Sequence, residues 1–256
     1  MNRKRLFTPV VAVILSLLCA LPFVYIFAKS FWFNGSASFE SYYEVFLYQS
    51  QYLTRFWKSV FLTLCITVGQ ILISLLAGYG FAKCKFPGRD FIFFLLMVLM
   101  IMPLQVTLVP NYLMLNNMNL LDTYSALALP MIFIPLGTFI MTQCFKAVPN
   151  EIIEAARLDG CGTLDVIVRV VAPMNKSGLV CTALLSFLDG WNMVEQPIVF
   201  LKEFEKFPLS VGLASMPPEN PTIQLVCCLL TMIPPLFLFA YYKTELVEGI
   251  AIGGEK

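Results

Sequence analysis

Six stretches of this chain run almost without charge for about the length that a helix needs to cross a bilayer, and no other feature restricts the fold as much. A hydrocarbon core of roughly 30 Å takes about 20 apolar residues as a helix. The windows 6–28, 59–82, 91–115, 124–145, 177–200 and 223–242 each qualify, and only the fifth is interrupted, by Asp189 and Glu195. Composition agrees with that reading. Hydrophobic residues make up 59% of the chain and charged residues 13%, and the mean hydropathy of +0.79 belongs to polytopic membrane proteins rather than soluble ones. The expected fold is all-α, a single membrane domain over 1–256 with six transmembrane helices. The segments 30–58 and 201–221 are too short to be independent domains of ordinary size.

The first window follows Arg3-Lys4-Arg5 and could be mistaken for a signal peptide. It runs past the ~7 to 15 apolar residues of such a peptide and ends at Ala28-Lys29 without a small-x-small site, so it reads as a retained helix. Leu18 before Cys19 argues against a lipid-anchored cysteine. With the N-terminus inside, twelve basic residues fall on the cytoplasmic side: Arg3, Lys4, Arg5, Lys83, Lys85, Arg89, Lys146, Arg157, Arg169, Lys176, Lys243 and Lys256. Five fall outside: Lys29, Arg55, Lys58, Lys202 and Lys206. The positive-inside bias therefore predicts a multi-pass inner-membrane protein with both termini and the segment 146–176 in the cytoplasm.

Several chemistries are excluded. The chain has no histidine, which removes Ser-His and Cys-His nucleophiles and histidine-based zinc sites. Its eight cysteines are scattered without a C-x-x-C pair and read as packing residues. No G-x-x-x-x-G-K-[ST] loop is present, so the chain cannot hydrolyse ATP by itself. No catalytic residue, metal site or cofactor is expected, and without a basic tail nothing points to nucleic acid.

The stretch from Pro149 to Gly160 is a charged, helix-capable insert of about three turns between apolar runs. Pro149 can end the preceding helix, Asn150 is a good N-cap, and Glu151 and Glu154 put negative charge near the positive helix terminus. Ile152, Ala155 and Ala156 are spaced to form one small-residue face, and Gly160 supplies a left-handed terminator. Thr163 offers a second N-cap for a helix through Val171, stopped before Pro173. A lipid-surface helix is the plain alternative. Its acidity, with Glu151, Glu154 and Asp159 against Arg157, disfavours anionic headgroups and favours docking to a protein.

These residues carry a resemblance. Glu154-Ala155-Ala156 through Gly160, with Ile167 and Ala172-Pro173, resembles the EAA signature of permease subunits in binding-protein-dependent ABC importers. The stretches 81–89, 102–110 and 120–124 resemble its carbohydrate branch, specifically the maltose-type (MalG-like) second permease subunit. The resemblance covers essentially the whole chain. It implies a MetI-like six-helix permease that imports a sugar or oligosaccharide, paired with a second related permease subunit, two cytoplasmic ABC ATPase subunits and an extracytoplasmic solute-binding protein. ATP and Mg would then sit on the partner ATPases. It also implies that Ile152, Glu154, Ala155, Ala156, Leu158, Asp159 and Gly160 form the coupling helix.

One departure lies in the fifth window, where family members often read Trp-Ala-Trp-Asn and this chain has Leu188-Asp189-Gly190-Trp191-Asn192. Asp189 is near the window's middle, where a carboxylate costs roughly 2.5 to 3.5 kcal/mol on insertion scales and should face protein or a wet cavity. Helical spacing puts Asp189, Asn192 and Gln196 on one face with Trp191 and Glu195 beside it. That face suits either a sugar passage or a network holding this helix to the partner subunit. Thr63, Thr67, Gln70 and Ser74 form a second polar stripe, read as interhelical hydrogen bonding ahead of pathway lining. Pro103, Pro110, Pro130, Pro135, Pro234 and Pro235 are expected to bend their helices. Lys202, Glu203, Glu205 and Lys206, with the Pro217-Pro218 turn, form an outer loop that either touches a binding protein or is merely solvated. Two rival functions remain. An ion- or proton-coupled secondary carrier would use Asp189 and Glu195, and a membrane scaffold would use only the docking helix.

Overall fold

The computed structural model describes residues 3–33, 36–47, 50–214 and 221–254; the expected Pro217-Pro218 turn lies outside them. A long helix α1 (Arg3–Ser30) leads to a short antiparallel pair, β1 (Trp32–Phe33) and β2 (Ser36–Ala37), and a two-turn helix α2 (Glu40–Leu47). Next come α3 (Ser50–Lys83), α4 (Arg89–Ile101), α5 (Leu104–Asn117), α6 (Tyr124–Ile132), α7 (Pro135–Lys146) and α8 (Asn150–Leu158). After α8 the chain continues through α9 (Thr163–Asp165), a π-helical stretch Val166–Val171 and α10 (Ala172–Met174). It ends with α11 (Lys176–Trp191), α12 (Glu195–Phe200), α13 (Leu209–Ala214) and α14 (Pro221–Gly254).

Among the described residues, four helices are long and apolar enough to span a membrane, at 13–30, 51–83, 124–146 and 221–249. Two bent pairs bring the number to six if each is one span: α4 with α5, bent by 106°, and Thr163–Met174 with α11, bent by 91°. The all-α expectation holds, but the third, fourth and fifth windows are not single continuous helices.

The breaks have local causes. Proline lacks an N–H and its ring collides with the carbonyl four residues back. Pro103 follows the end of α4, and Pro135 opens α7 after α6 has stopped at Ile132. The fifth window breaks at 192–194, between α11 and α12. Pro197 explains that break, because it cannot bond the Met193 carbonyl, which instead accepts Ser210 Oγ at 2.5 Å. Pro110, Pro130, Pro234 and Pro235 all lie inside helices.

Helix α3 is the centre of the packing and runs against α6, α7 and α11. The Thr63, Thr67, Gln70 and Ser74 stripe is buried within this chain. Thr67 Oγ1 donates to the Thr63 carbonyl at 2.8 Å. Gln70 Nε2 donates to the Ile134 carbonyl at 3.2 Å, reaching the break between α6 and α7. Of the stripe, Gln70 alone bonds across helices; Thr67 bonds within α3, and Thr63 Oγ1 and Ser74 Oγ are buried without a partner among the described residues, so the interhelical reading holds for Gln70 only.

Candidate functional site

Helix α8 is set by its two ends. Pro149, not Asn150, is the N-cap, with no side-chain cap bond. In place of that cap, Lys83 from the last turn of α3 donates to the Val148 carbonyl at 2.5 Å and to Asn150 Oδ1 at 2.9 Å. At the other end Gly160 has φ of +88°. Its N–H bonds the Arg157 carbonyl, and the Cys161 N–H bonds the Ala156 carbonyl at 3.0 Å, the paired bonds of a Schellman stop. Gly160 therefore terminates α8 as its sequence position suggests. The next helix starts with Gly162 as N-cap and Thr163 already inside, so the expected Thr163 cap is absent.

The two faces of α8 are unlike. Ile153 and Ala156 are buried, at 5% and 9% exposure, in a cluster with Tyr79, Phe145, Val148, Val166 and Ile167. Arg157 Nη2 donates to Tyr79 Oη at 3.4 Å. Glu151, Glu154, Ala155, Leu158, Asp159 and Gly160 are exposed, and Ile152 is half-buried. Leu158 is 90% exposed. The sequence placed Ile152, Ala155 and Ala156 on one contact face, and the structure corrects this. Ala156 packs inward against its own chain, while Ala155 lies outward with Glu151, Glu154 and Leu158. The signal for the outward stripe was the 151, 154/155, 158 spacing, with a large apolar residue ending an acidic face.

The polar groups of the fifth window do not form one face, because the helix they were counted on stops at Trp191. Asp189 and Asn192 are exposed on the surface of the chain. Trp191 is buried; its Nε1 donates to the Thr231 carbonyl at 3.2 Å and its ring stacks on Phe187 at 5.6 Å. Gln196 is also buried, with Nε2 against Met131 Sδ at 3.4 Å. Trp191 and Gln196 are thus core residues here. Glu195 Oε1 accepts a 2.8 Å bond from Gln105 Nε2, which ties α12 to the start of α5, and its Oε2 is buried with no partner among the described residues. The third and fifth windows meet at that contact.

A clamp that sequence reasoning missed closes the end of the molecule away from α8. Asp122, at φ 62° in the turn between α5 and α6, accepts the Lys202 N–H at 2.9 Å, the Glu203 N–H at 3.3 Å and Lys206 Nζ at 2.7 Å. The Lys206 ammonium and these backbone donors hold the Asp122 carboxyl down at about 2, and the same carboxylate pushes Lys206 up. Lys206 is therefore engaged within the chain, with Asp122 and also Glu203 at 3.2 Å. Arg55, 3% exposed, donates to the Gly212 and Phe204 carbonyls at 3.1 and 3.3 Å, and Ser59 Oγ accepts the Leu209 N–H at 2.8 Å. These bonds fasten 201–214 to the start of α3. The signal for the clamp was a lone Asp in a turn, which tolerates positive φ better than most residues do.

Residues 70–244 match the family described as binding-protein-dependent transport system inner membrane component. The chain is 31% identical over 222 residues to the arabinooligosaccharides transport system permease protein AraQ of Bacillus subtilis, covering 86% of this chain and 79% of that one. It is 29% identical over 225 residues to AraQ of Halalkalibacterium halodurans, covering 87% and 81%. It is 28% identical over 204 residues to the sn-glycerol-3-phosphate transport system permease protein UgpE of Escherichia coli, covering 76% and 73%. A chain from the crystal structure of a bacterial ABC transporter involved in the import of the acidic polysaccharide alginate aligns with a TM-score of 0.82 over 95% of this chain and 98% of that one. At 21% identity that likeness speaks for the fold alone.

Proposed function

The chain belongs to the family of binding-protein-dependent transport system inner membrane components, and from that premise we propose that it is the permease subunit of an ATP-driven importer whose motor grips α8. The observation that carries this reading is the outward stripe of α8, ending in a 90% exposed Leu158, on a helix fixed at both ends. An apolar side chain left open on an acidic face can anchor a partner protein, and the acidic residues around it disfavour an anionic leaflet. Two ATPase subunits carrying ATP and Mg, a second related permease and an extracytoplasmic binding protein complete the machine. This chain contributes no catalytic group. The side bearing α8 is then cytoplasmic, as are both termini.

The transport cycle follows alternating access. ATP-driven closure of the motor moves Glu151, Glu154, Ala155 and Leu158. Ile153 and Ala156 pass that movement into the cluster of Tyr79, Phe145 and Val166, and so into α3, α7 and α11. The cargo reading is carbohydrate, supported by the arabinooligosaccharide relatives. The sn-glycerol-3-phosphate relatives widen the branch to small polyols, and the maltose-type assignment is a finer proposal than these relatives reach. Asp189 and Asn192, exposed and unbonded within the chain's described residues, with Glu195 at the meeting of the third and fifth windows, are proposed to line the passage. A secondary carrier would leave the exposed stripe of α8 without a partner, and nothing in the comparisons favours it.

The test is co-expression with the neighbouring transport subunits. An ATPase should co-purify, and reconstituted uptake should depend on the binding protein; a chain that transports alone sinks the reading. Asp189→Asn should lower uptake while leaving ATP hydrolysis in place. Unchanged transport in that variant removes Asp189 from the passage.

A further inference from the structure

At the end of α1 opposite Arg3 the chain forms an apolar cavity of about 620 Å³. It is lined by Phe27 and Phe31 from the end of α1 and the turn after it, and by Phe39, Tyr43, Phe46 and Leu47 from α2 and the residue before it. That size lies within the ~300–1,000 Å³ of small-molecule sites. The rings hold one another in place, with Phe31 centred 5.1 Å from Phe27, 5.4 Å from Phe39 and 5.4 Å from Tyr42. Tyr42 also lines the cavity, with its Oη bonded to Ser30 Oγ at 2.8 Å, and Tyr43 carries the other hydroxyl of an otherwise hydrocarbon lining. A sugar with several hydroxyls would find too few partners there, whereas a hydrocarbon chain needs none.

We infer that the cavity holds one acyl chain of an amine-headed phospholipid from the outer leaflet. Three observations converge on that occupant. First, the cavity opens at the end of a membrane window, 13–30, of which only 6% is buried within the chain, so it continues a surface made for lipid. Second, Tyr25, Trp32, Phe39 and Tyr43 are all exposed at this level, the aromatic girdle that marks a hydrocarbon boundary. Third, residues close to the lining ones along the chain carry both signs of charge. Lys29, whose Nζ stands 5.9 Å from the Tyr25 ring centre, suits a phosphate. Glu40 and Glu44 lie one turn apart on α2, with no ion pair in this chain among the described residues, and suit an ammonium. α2 then lies in the interface with Ser41 and Val45 against the protein and its aromatic side on the lipid.

This inference rests on the membrane reading above, in which this end of α1 is the outer one. The test uses the assembled complex in nanodiscs, with phosphatidylethanolamine carrying a diazirine on one acyl chain as the probe. Labelling should map to residues 27–31 and 39–47 and fall about tenfold in the exposed double variant Tyr43→Gln/Leu47→Gln, the loss expected from removing two apolar walls. Glu40→Gln/Glu44→Gln should reduce labelling by the amine-headed lipid but not by phosphatidylglycerol with the same diazirine chain. Labelling unchanged in the double variant, or a label that lands instead on the second permease, overturns the proposal. Co-purified ATPase is scored on the same sample, so an assembled complex without lipid label fails this inference alone.

Discussion

At the scale of single residues, the Asp122 clamp is held by groups whose charges are secure. Asp122 sits at about 2, below its ordinary value, so its contribution is complete at pH above about 4 and is lost as pH falls through 2. Lys206 is raised, so its contribution is complete below the ordinary lysine range and fades only above it. The clamp should therefore be indifferent to pH between about 5 and 9. Amide exchange at Lys202 and Glu203, corrected for the intrinsic pH effect, should stay slow across that window and quicken only in strong acid. Ser59→Ala makes a sharper cut, because it orphans the buried Leu209 N–H. It should cost about 1–3 kcal/mol, read as a lower unfolding midpoint in nanodiscs.

Among the elements, α8 separates two kinds of damage that its sequence blurs together. Leu158→Glu changes a fully outward side chain, so stability should move by no more than about 0.5 kcal/mol. Motor association should nevertheless collapse in a pull-down. Ala156→Trp overfills the inner cluster and should cost about 1–3 kcal/mol or more, with uncoupling as a secondary result of unseating the helix. Thermal melting alongside the pull-down distinguishes the two, and equal melting curves would contradict the assigned faces. The existence, length and stop of α8 were legible in the sequence because Pro149, the acidic first turn and Gly160 are local signals. Its facing was not, since which side meets Tyr79 and Val166 depends on residues far along the chain. The fifth window failed for a different reason. Counting charge finds apolar length but not continuity, and Pro197, visible all along, decides that Met193 cannot be helically bonded.

Over the whole molecule, six apolar windows translated into helices because bilayer thickness fixes their length, a constraint any sequence displays. The bends of 106° and 91° were less legible, since Pro103 only marks a place where a turn is allowed and packing sets its angle. In contrast to its neighbours, α3 stays unbroken over 34 residues, about 51 Å at 1.5 Å per residue. Lys83 hooks α8 at one of its ends, and Arg55 and Ser59 fasten the 201–214 segment at the other. A stiff strut pinned at both tips leaves no slack between the α8 side and the far surface, so a nudge at one reaches the other as rotation or thrust of a single rod. Inserting one alanine midway along it should turn the tips against each other by about 100°. Hydrolysis would then run without cargo moving, seen as ATP consumption that no longer responds to the binding protein.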